Sequence, residues 1–314
     1  MSSFYSALED QISKTRPVVG LRPSFRGCIY GESGEGKTVL AAQILDEIVP
    51  DDKGILHIDT SEGFVSIDNV AGLGNRIVTI PYESIEQIEL LVEGIKAKYG
   101  MLAHIGGVLL DEASSMNEQD IDEHHRNRLL AEKTESLTPE WDDYRPALVR
   151  FRKMMAQLFS VRGLNVVLVA HLTRENKGKN QPDRCYPAFP PKTAPKVKEP
   201  LHFVGCLTSG LRKSNTESGE PTYERLVQVH PTRSFDAKTR LPIPRLKVGA
   251  EELPSIIRKW LDEGGKPETT KIYEEEKETF IEPNELNQED NALSDDTDDN
   301  TLSDDTFEIE PLTT

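Results

Sequence analysis

Residues 31–38 read "GESGEGKT" and join the apolar run "GCIY" (27–30) to the helical segment "KTVLAAQILDEIV" (37–49). A strand that turns into a helix through a glycine-rich corner must present backbone N–H groups to whatever fills the corner. No other stretch limits the fold as much. Gly31, Gly34 and Gly36 let the chain curl with those groups inward, around a polyphosphate. In the spacing G-x-x-x-x-G-K-[ST] the lysine reaches the β and γ oxygens and the hydroxyl ligates Mg2+. The expected nucleotide contacts are Gly31, Glu32, Ser33, Gly34, Glu35, Gly36, Lys37 and Thr38, with ATP and Mg2+ as cofactors. The helix N-terminus behind the loop adds partial positive charge.

The remaining chain alternates in the same way. Apolar runs at 54–58, 76–80, 106–110, 164–170 and 202–207 are separated by segments such as "SIEQIELLVEGIKAKYG" and "PALVRFRKMMAQLF", whose apolar residues recur at three and four. Strands that are apolar throughout are covered on both faces, which with alternating helices means an α/β fold with a mostly parallel sheet flanked by helices. After residue 200, "HFVGCLTSGLRK" and "TYERLVQVHPTR" flank the turn-forming "SNTESGEP", a C-terminal β-hairpin extension. An amphipathic helix from about Pro254 to Leu261 closes the fold at Gly264-Gly265.

Charge divides the chain unevenly. The formal net charge is −17, but from Gly264 onward 17 acids face three lysines, which leaves the preceding residues close to neutral. This last segment is poor in aromatics and repeats "LSDDT", so it is expected to be disordered. The expected organisation is a lead-in over 1–19, one domain over 20–263 and an acidic tail over 264–314. Cys28, Cys185 and Cys206 form no CxxC pair, which argues against a zinc site or a disulfide framework and fits a reducing cytoplasm. No run approaches the roughly 20 apolar residues that span a bilayer, so no membrane partner is expected.

Two further strands end in acids. "IGGVLLDEAS" (105–114) places Asp111 where it holds a magnesium-bound water near Thr38, while Glu112 either positions a water or begins the next helix. "GILHIDTSEGF" (54–64) ends in Asp59 with Glu62 just beyond. It resembles the "IDTEG" segment of RecA-like recombinases, whose glutamate activates the attacking water, with Ser61 as an extra residue. "LNVVLVAHLTRE" (164–175) resembles the sensor strand of that superfamily, buried between the two phosphate-handling strands. The resemblance makes His171 the group that detects the γ-phosphate and signals to the next loop; the plainer reading is a satisfied core histidine at a strand end.

In "SFDAKTR" (234–240), Lys238 and Arg240 share one side of a strand. RecA carries paired lysines at a similar place, and DnaB-type helicases carry Lys-x-Arg. In both families the pair reaches the neighbour's ATP, which implies a ring or filament; the plainer reading is a cationic hairpin edge. "GESGEGKT", "HIDTSEG", "GGVLLDE", "VVLVAH", the "WDDYR" that precedes the fourth helix, and "DAKTR" together most resemble phage-encoded RecA-like ATPases of the single-strand annealing and recombination type. The resemblance covers residues 20–245 and implies a RecA-like P-loop NTPase core with catalytic groups Lys37, Glu62, Glu112, His171, Lys238 and Arg240. A ring helicase or DNA motor is one alternative, and a nucleotide-gated adaptor with little hydrolysis is another.

In such cores the loops after the Asp111 and His171 strands face DNA. The segment 174–198 carries Arg174, Lys177, Lys179, Arg184, Lys192, Lys196 and Lys198, with Tyr186 and Phe189 among them. Cations for phosphates with aromatics for bases suit single-stranded DNA, although a solvated connection has the same composition. The other loop candidate, 114–133, offers Arg126 and Arg128; its adjacent His124 and His125 have no third ligand at metal-binding spacing. The acidic tail is a candidate competitor for the basic loop or recruiter of a partner, with a single-strand-binding protein among the expected partners.

Overall fold

The computed structural model describes residues 23–61, 63–68, 70, 72–132, 138–176, 182–190, 193–212 and 222–265. The lead-in 1–19 and the acidic tail from 266 lie outside the described residues. Five strands run parallel side by side: β1 (Arg26–Gly31), β5 (Asn165–Glu175), β4 (Ile105–Asp111), β2 (Gly54–Asp59) and β3 (Ile77–Pro81). On the other flank of β1 lies β7 (Phe203–Arg212), also parallel to it. The antiparallel β8 (Thr222–Gln228) and β10 (Lys247–Gly249) continue the sheet, and the two-residue β9 (Lys238–Thr239) pairs with the start of β7. The mostly parallel sheet and its C-terminal hairpin thus form as expected.

Period two places successive strand residues on opposite faces, and helices cover both. Ile29, Val167 and Phe203 pack with α1 (Lys37–Ile48) and with the last helix, α7 (Leu253–Asp262), through Leu40, Leu45 and Trp260. Cys28, Tyr30 and Leu168 pack on the other face with α3 (Ile85–Ala97), α4 (Ala113–Glu132) and α5 (Trp141–Phe159). Two short helices, α2 (Phe64–Asp68) and α6 (Ala194–Lys198), sit in connections. Helix α7 ends as expected: the N–H of Gly264 donates to Leu261 O at 3.1 Å and that of Gly265 to Trp260 O at 2.9 Å. This doubled bond requires the left-handed backbone found at Gly264, φ 87°.

Three sequence expectations are corrected. The expected loop at 114–133 is helical over its described residues, 114–132, as α4. Its buried face carries Ser114, Asn117 and Asp120 beside Met116 and Ile121, so helical spacing is present while the apolar stripe that advertises it is not. "WDDYR" does not precede α5 but forms its first turns, because Glu140 and Asp143 cap each other's backbone N–H and start the helix ahead of Pro146. The segment 174–198 is not an unstructured loop: β5 runs on to Glu175 and pairs antiparallel with β6 (Arg184–Pro187), and α6 follows.

No described helix is long and apolar enough to cross a membrane.

Candidate functional site

The carboxyl ends of β1, β5, β4 and β2 meet in one row, with Gly31 opposite His171 and Asp59 opposite Asp111. The strand carrying His171 lies between those carrying the loop and Asp111, where the resemblance puts it. Beside β1 the chain switches flank, since β5 leads past it to β7; crevices at such points hold ligands in open α/β sheets. Gly34 and Gly36 take φ of 84° and 85°, the left-handed turn that aims the loop's N–H groups inward. No side chain caps α1, so its first-turn amides remain available to an anion.

Lys37 is 5 % exposed. Its Nζ donates to Glu32 O at 2.9 Å and lies 3.3 Å from Glu112 Oε1. The other oxygen of Glu112 is 2.8 Å from His171 Nε2. Glu112 therefore both immediately precedes α4 and faces the site, bridging Lys37 of the phosphate loop and His171 of β5. Burial pushes its carboxyl up from the ordinary value; Lys37 and His171 oppose this, and Asp111 adds to it. The N–H of His171 donates to Ser114 Oγ at 3.1 Å, which ties the strand end to α4.

Asp111 is 1 % exposed, and neither carboxylate oxygen accepts a hydrogen bond among the described residues. A buried anion in that state needs a cation. Gly63 brings the candidate ligands together: a Cβ there would stand 2.6 Å from Asp111 Oδ2 and 3.4 Å from Thr38 Cγ2. A threonine side chain beside the Asp111 and Asp59 carboxylates is a donor set that fits Mg2+, which keeps most of its own waters. Asp59, in contrast, is occupied: its oxygens accept from the N–H groups of Ser61 and Phe64, both at 3.0 Å. Thr60 latches the neighbouring strand end, its N–H donating to Asp111 O at 2.7 Å and its Oγ1 accepting from Glu112 N at 3.1 Å.

The sequence reading missed two groups. His57 is fully buried in β2, with Nδ1 3.1 Å from Thr79 Oγ1 and Nε2 3.4 Å from Asp111 Oδ2. His57, Asp59 and Asp111 form the one such cluster within metal-binding reach among the described residues. Its signal was a histidine inside the apolar run "GILHI". The other is Arg225 on β8, whose guanidinium NH1 lies 2.8 Å from where a Cβ of Gly36 would be. Nothing local in "TYERLVQ" distinguishes it.

The remaining candidates scatter. Glu62, Lys177, Lys179 and Lys192 lie outside the described residues. Glu35 meets Ser209 Oγ, and Ser33 is exposed in the loop. Arg174 pairs with Glu32 at 2.7 Å, Arg184 is exposed and Tyr186 is half-buried. Phe189 is 2 % exposed and packs at 6.1 Å on the Phe151 ring, so it lacks the open face that base stacking needs; that expectation is corrected. Lys196 pairs with Glu199 at 3.5 Å, and Lys198 pairs with Asp236. Arg128 forks onto Asp143, with His125 on the same carboxylate, so Arg128 ties α4 to α5. Lys238 and Arg240 lie at the far end of the sheet, level with the start of β1. Lys238 Nζ donates to the carbonyls of Lys198 and Glu199 at 2.8 and 2.9 Å, while Arg240 is exposed.

A glycine loop wrapped toward a helix N-terminus, a buried lysine and a strand-end aspartate in a parallel sheet define a P-loop nucleotide-binding protein. A family model described as "AAA domain" matches residues 24–241. The chain belongs to that family, and its fold is that of an AAA-type P-loop ATPase; membership implies nucleotide binding. No curated protein matches it.

Proposed function

We propose that this chain hydrolyses ATP and couples nucleotide state to single-stranded DNA, as a recombination or annealing ATPase that works in a homo-oligomer. One observation carries the reading: Glu112 stands between Lys37 and His171 and beside Asp111, whose carboxylate accepts no hydrogen bond among the described residues. An arriving triphosphate takes Lys37 for its β and γ oxygens, which frees Glu112 to accept a proton from the attacking water. A carboxyl held above its ordinary range is a better base near neutral pH. Mg2+, held through Thr38 and Asp111, would neutralise charge developing on the phosphates.

His171, freed or retained by Glu112, begins the part of β5 that continues four residues further into the β5–β6 hairpin. That continuity supports a relay from nucleotide to a hairpin bearing Arg174 and Arg184, with Lys177 and Lys179 in the connecting segment and Tyr186 on β6. Arg240, the exposed member of its pair, is the group proposed to complete a neighbouring protomer's site.

Glu112→Gln keeps the hydrogen-bonding shape and removes the base. Turnover is expected to fall about 10²–10⁴-fold while nucleotide is still bound. Unchanged phosphate release would remove Glu112 from the chemistry. For the DNA half, affinity for an oligonucleotide is measured with and without ATP across a salt titration; it is expected to depend on ATP and to weaken steadily with salt. Binding that ignores both would end the DNA reading, and ATP-driven opening of a forked duplex would favour the motor instead.

A further inference from the structure

At the amino end of the parallel strands, opposite the phosphate loop, a cavity of about 600 Å3 opens between α5, α6 and the start of β1. Its floor is apolar, formed by Met155, Phe159 and Val197, all buried. Around it stand Arg26, Arg152, Lys153 and Lys196, and among the described residues no carboxylate lines it. The Arg26 guanidinium lies 5.5 Å over the Phe159 ring and donates to Phe159 O at 2.6 Å, which leaves its Nε buried and without a partner among the described residues. Among the described residues no carboxylate pairs with Arg152; Lys153 pairs with the half-buried Glu89 and Lys196 with the exposed Glu199.

An apolar floor inside a cationic rim selects a ligand with an apolar side chain flanked by carboxylates. Nucleic acid fits less well, because the one aromatic in the lining, Phe159, is 6 % exposed and offers no stacking face. The chain supplies the matching chemistry itself. "DDTFEIEPL" (304–312) sets Phe307, Ile309 and Leu312 among four acids, within a stretch of 17 acids and three lysines. The described chain ends at Gly265, near the residues that lead into β1. A Cβ on Gly265 would stand 2.5 Å from Pro23 Cγ, and Pro23 is three residues before Arg26. From Gly265 to Phe307 the backbone spans up to about 140 Å, ample to reach the mouth. Tethering makes docking intramolecular, at an effective concentration on the order of millimolar.

We propose that this cavity is the docking site for the chain's own segment 304–312, with Phe307 on the Met155–Phe159–Val197 floor and the flanking carboxylates at the Arg26, Arg152 and Lys196 rim. It stands apart from the nucleotide reading and holds whether or not the chain hydrolyses ATP. The test uses the full chain with the photo-crosslinking residue p-benzoylphenylalanine in place of Phe307, irradiated and mapped by mass spectrometry. Attachment within one chain to residues 149–160 or 196–200 is the expected result. Reversing the rim with Arg152→Glu and Lys153→Glu should lower that yield about tenfold, and adding Asp304→Lys and Asp305→Lys should restore it. Restoration separates lost docking from a misfolded variant. Attachment scattered over the surface, concentrated on the β5–β6 hairpin, formed between two copies, or indifferent to the reversed rim would overturn the proposal.

Discussion

At the carboxyl ends of the strands Glu112 is buried beside Lys37 and His171, Asp111 lies beside His57, and Asp59 accepts from backbone N–H groups. At the amino ends Arg26, Lys238 and Arg240 surround His202. The upper acid Glu112 is answered by side chains that a ligand can exchange. The lower cations are answered mostly by fixed dipoles and a ring: Arg26 by the Phe159 carbonyl and face, Lys238 by two carbonyls. Exchangeable partners leave a site that reorganises when a triphosphate arrives; fixed partners leave a standing positive field. His202 reports that field, pushed down to about 4 by burial and by Arg26, Arg240 and Lys238. Its geometry agrees, since Nδ1 accepts from Arg26 N at 3.2 Å and a protonated ring has no acceptor to offer.

The contrast breaks most directly at Lys37. Lys37→Ala should lower ATP turnover by about 10³ or more, because it removes the phosphate cation and leaves Glu112 with His171 alone. A loss under tenfold in phosphate release would mean the upper cluster is only structural. Arg240→Ala comes next, with a fall of about 10³ if the lower end serves a neighbour's nucleotide. Mixing Lys37→Ala with Arg240→Ala chains should then regain part of the activity, as each supplies what the other lacks. Full turnover by Arg240→Ala alone would confine the chemistry to the upper end.

The smallest effect sharpens the lower end. His202 has an ordinary value of 6.5 and a folded value of about 4, so between these the unfolded chain binds more protons. Stability should therefore rise with pH across that window and be lost as pH falls from 6.5 toward 4. With solvent screening the loss is on the order of 1–2 kcal/mol by pH 4. His202→Gln should flatten this slope in denaturant melts taken at several pH values; an unaltered slope would show that the field does not act on His202.

Much of this was legible early because its signals are local. The turn at 31–38, the strand–helix alternation and the Gly264-Gly265 stop each need only neighbouring residues. α4 was missed because its inward face is half polar, and Pro146 hid the earlier start of α5. Phe189 looked like a stacking residue by composition, yet contact with Phe151, far away in sequence, made it core. His57 and Arg225 gained their meaning from strands that their own sequence neighbourhoods do not mention.

The amino-acid order by itself determined the phosphate-binding corner and the layered α/β architecture, since glycine spacing and apolar period act within a few residues. Only the tertiary structure decided that Glu112 bridges Lys37 and His171, and that Lys238 is held by its own chain's carbonyls while Arg240 stays exposed. Parallel pairing in register brings distant strand ends to one edge, and the cost of burying charge then selects which groups must meet there.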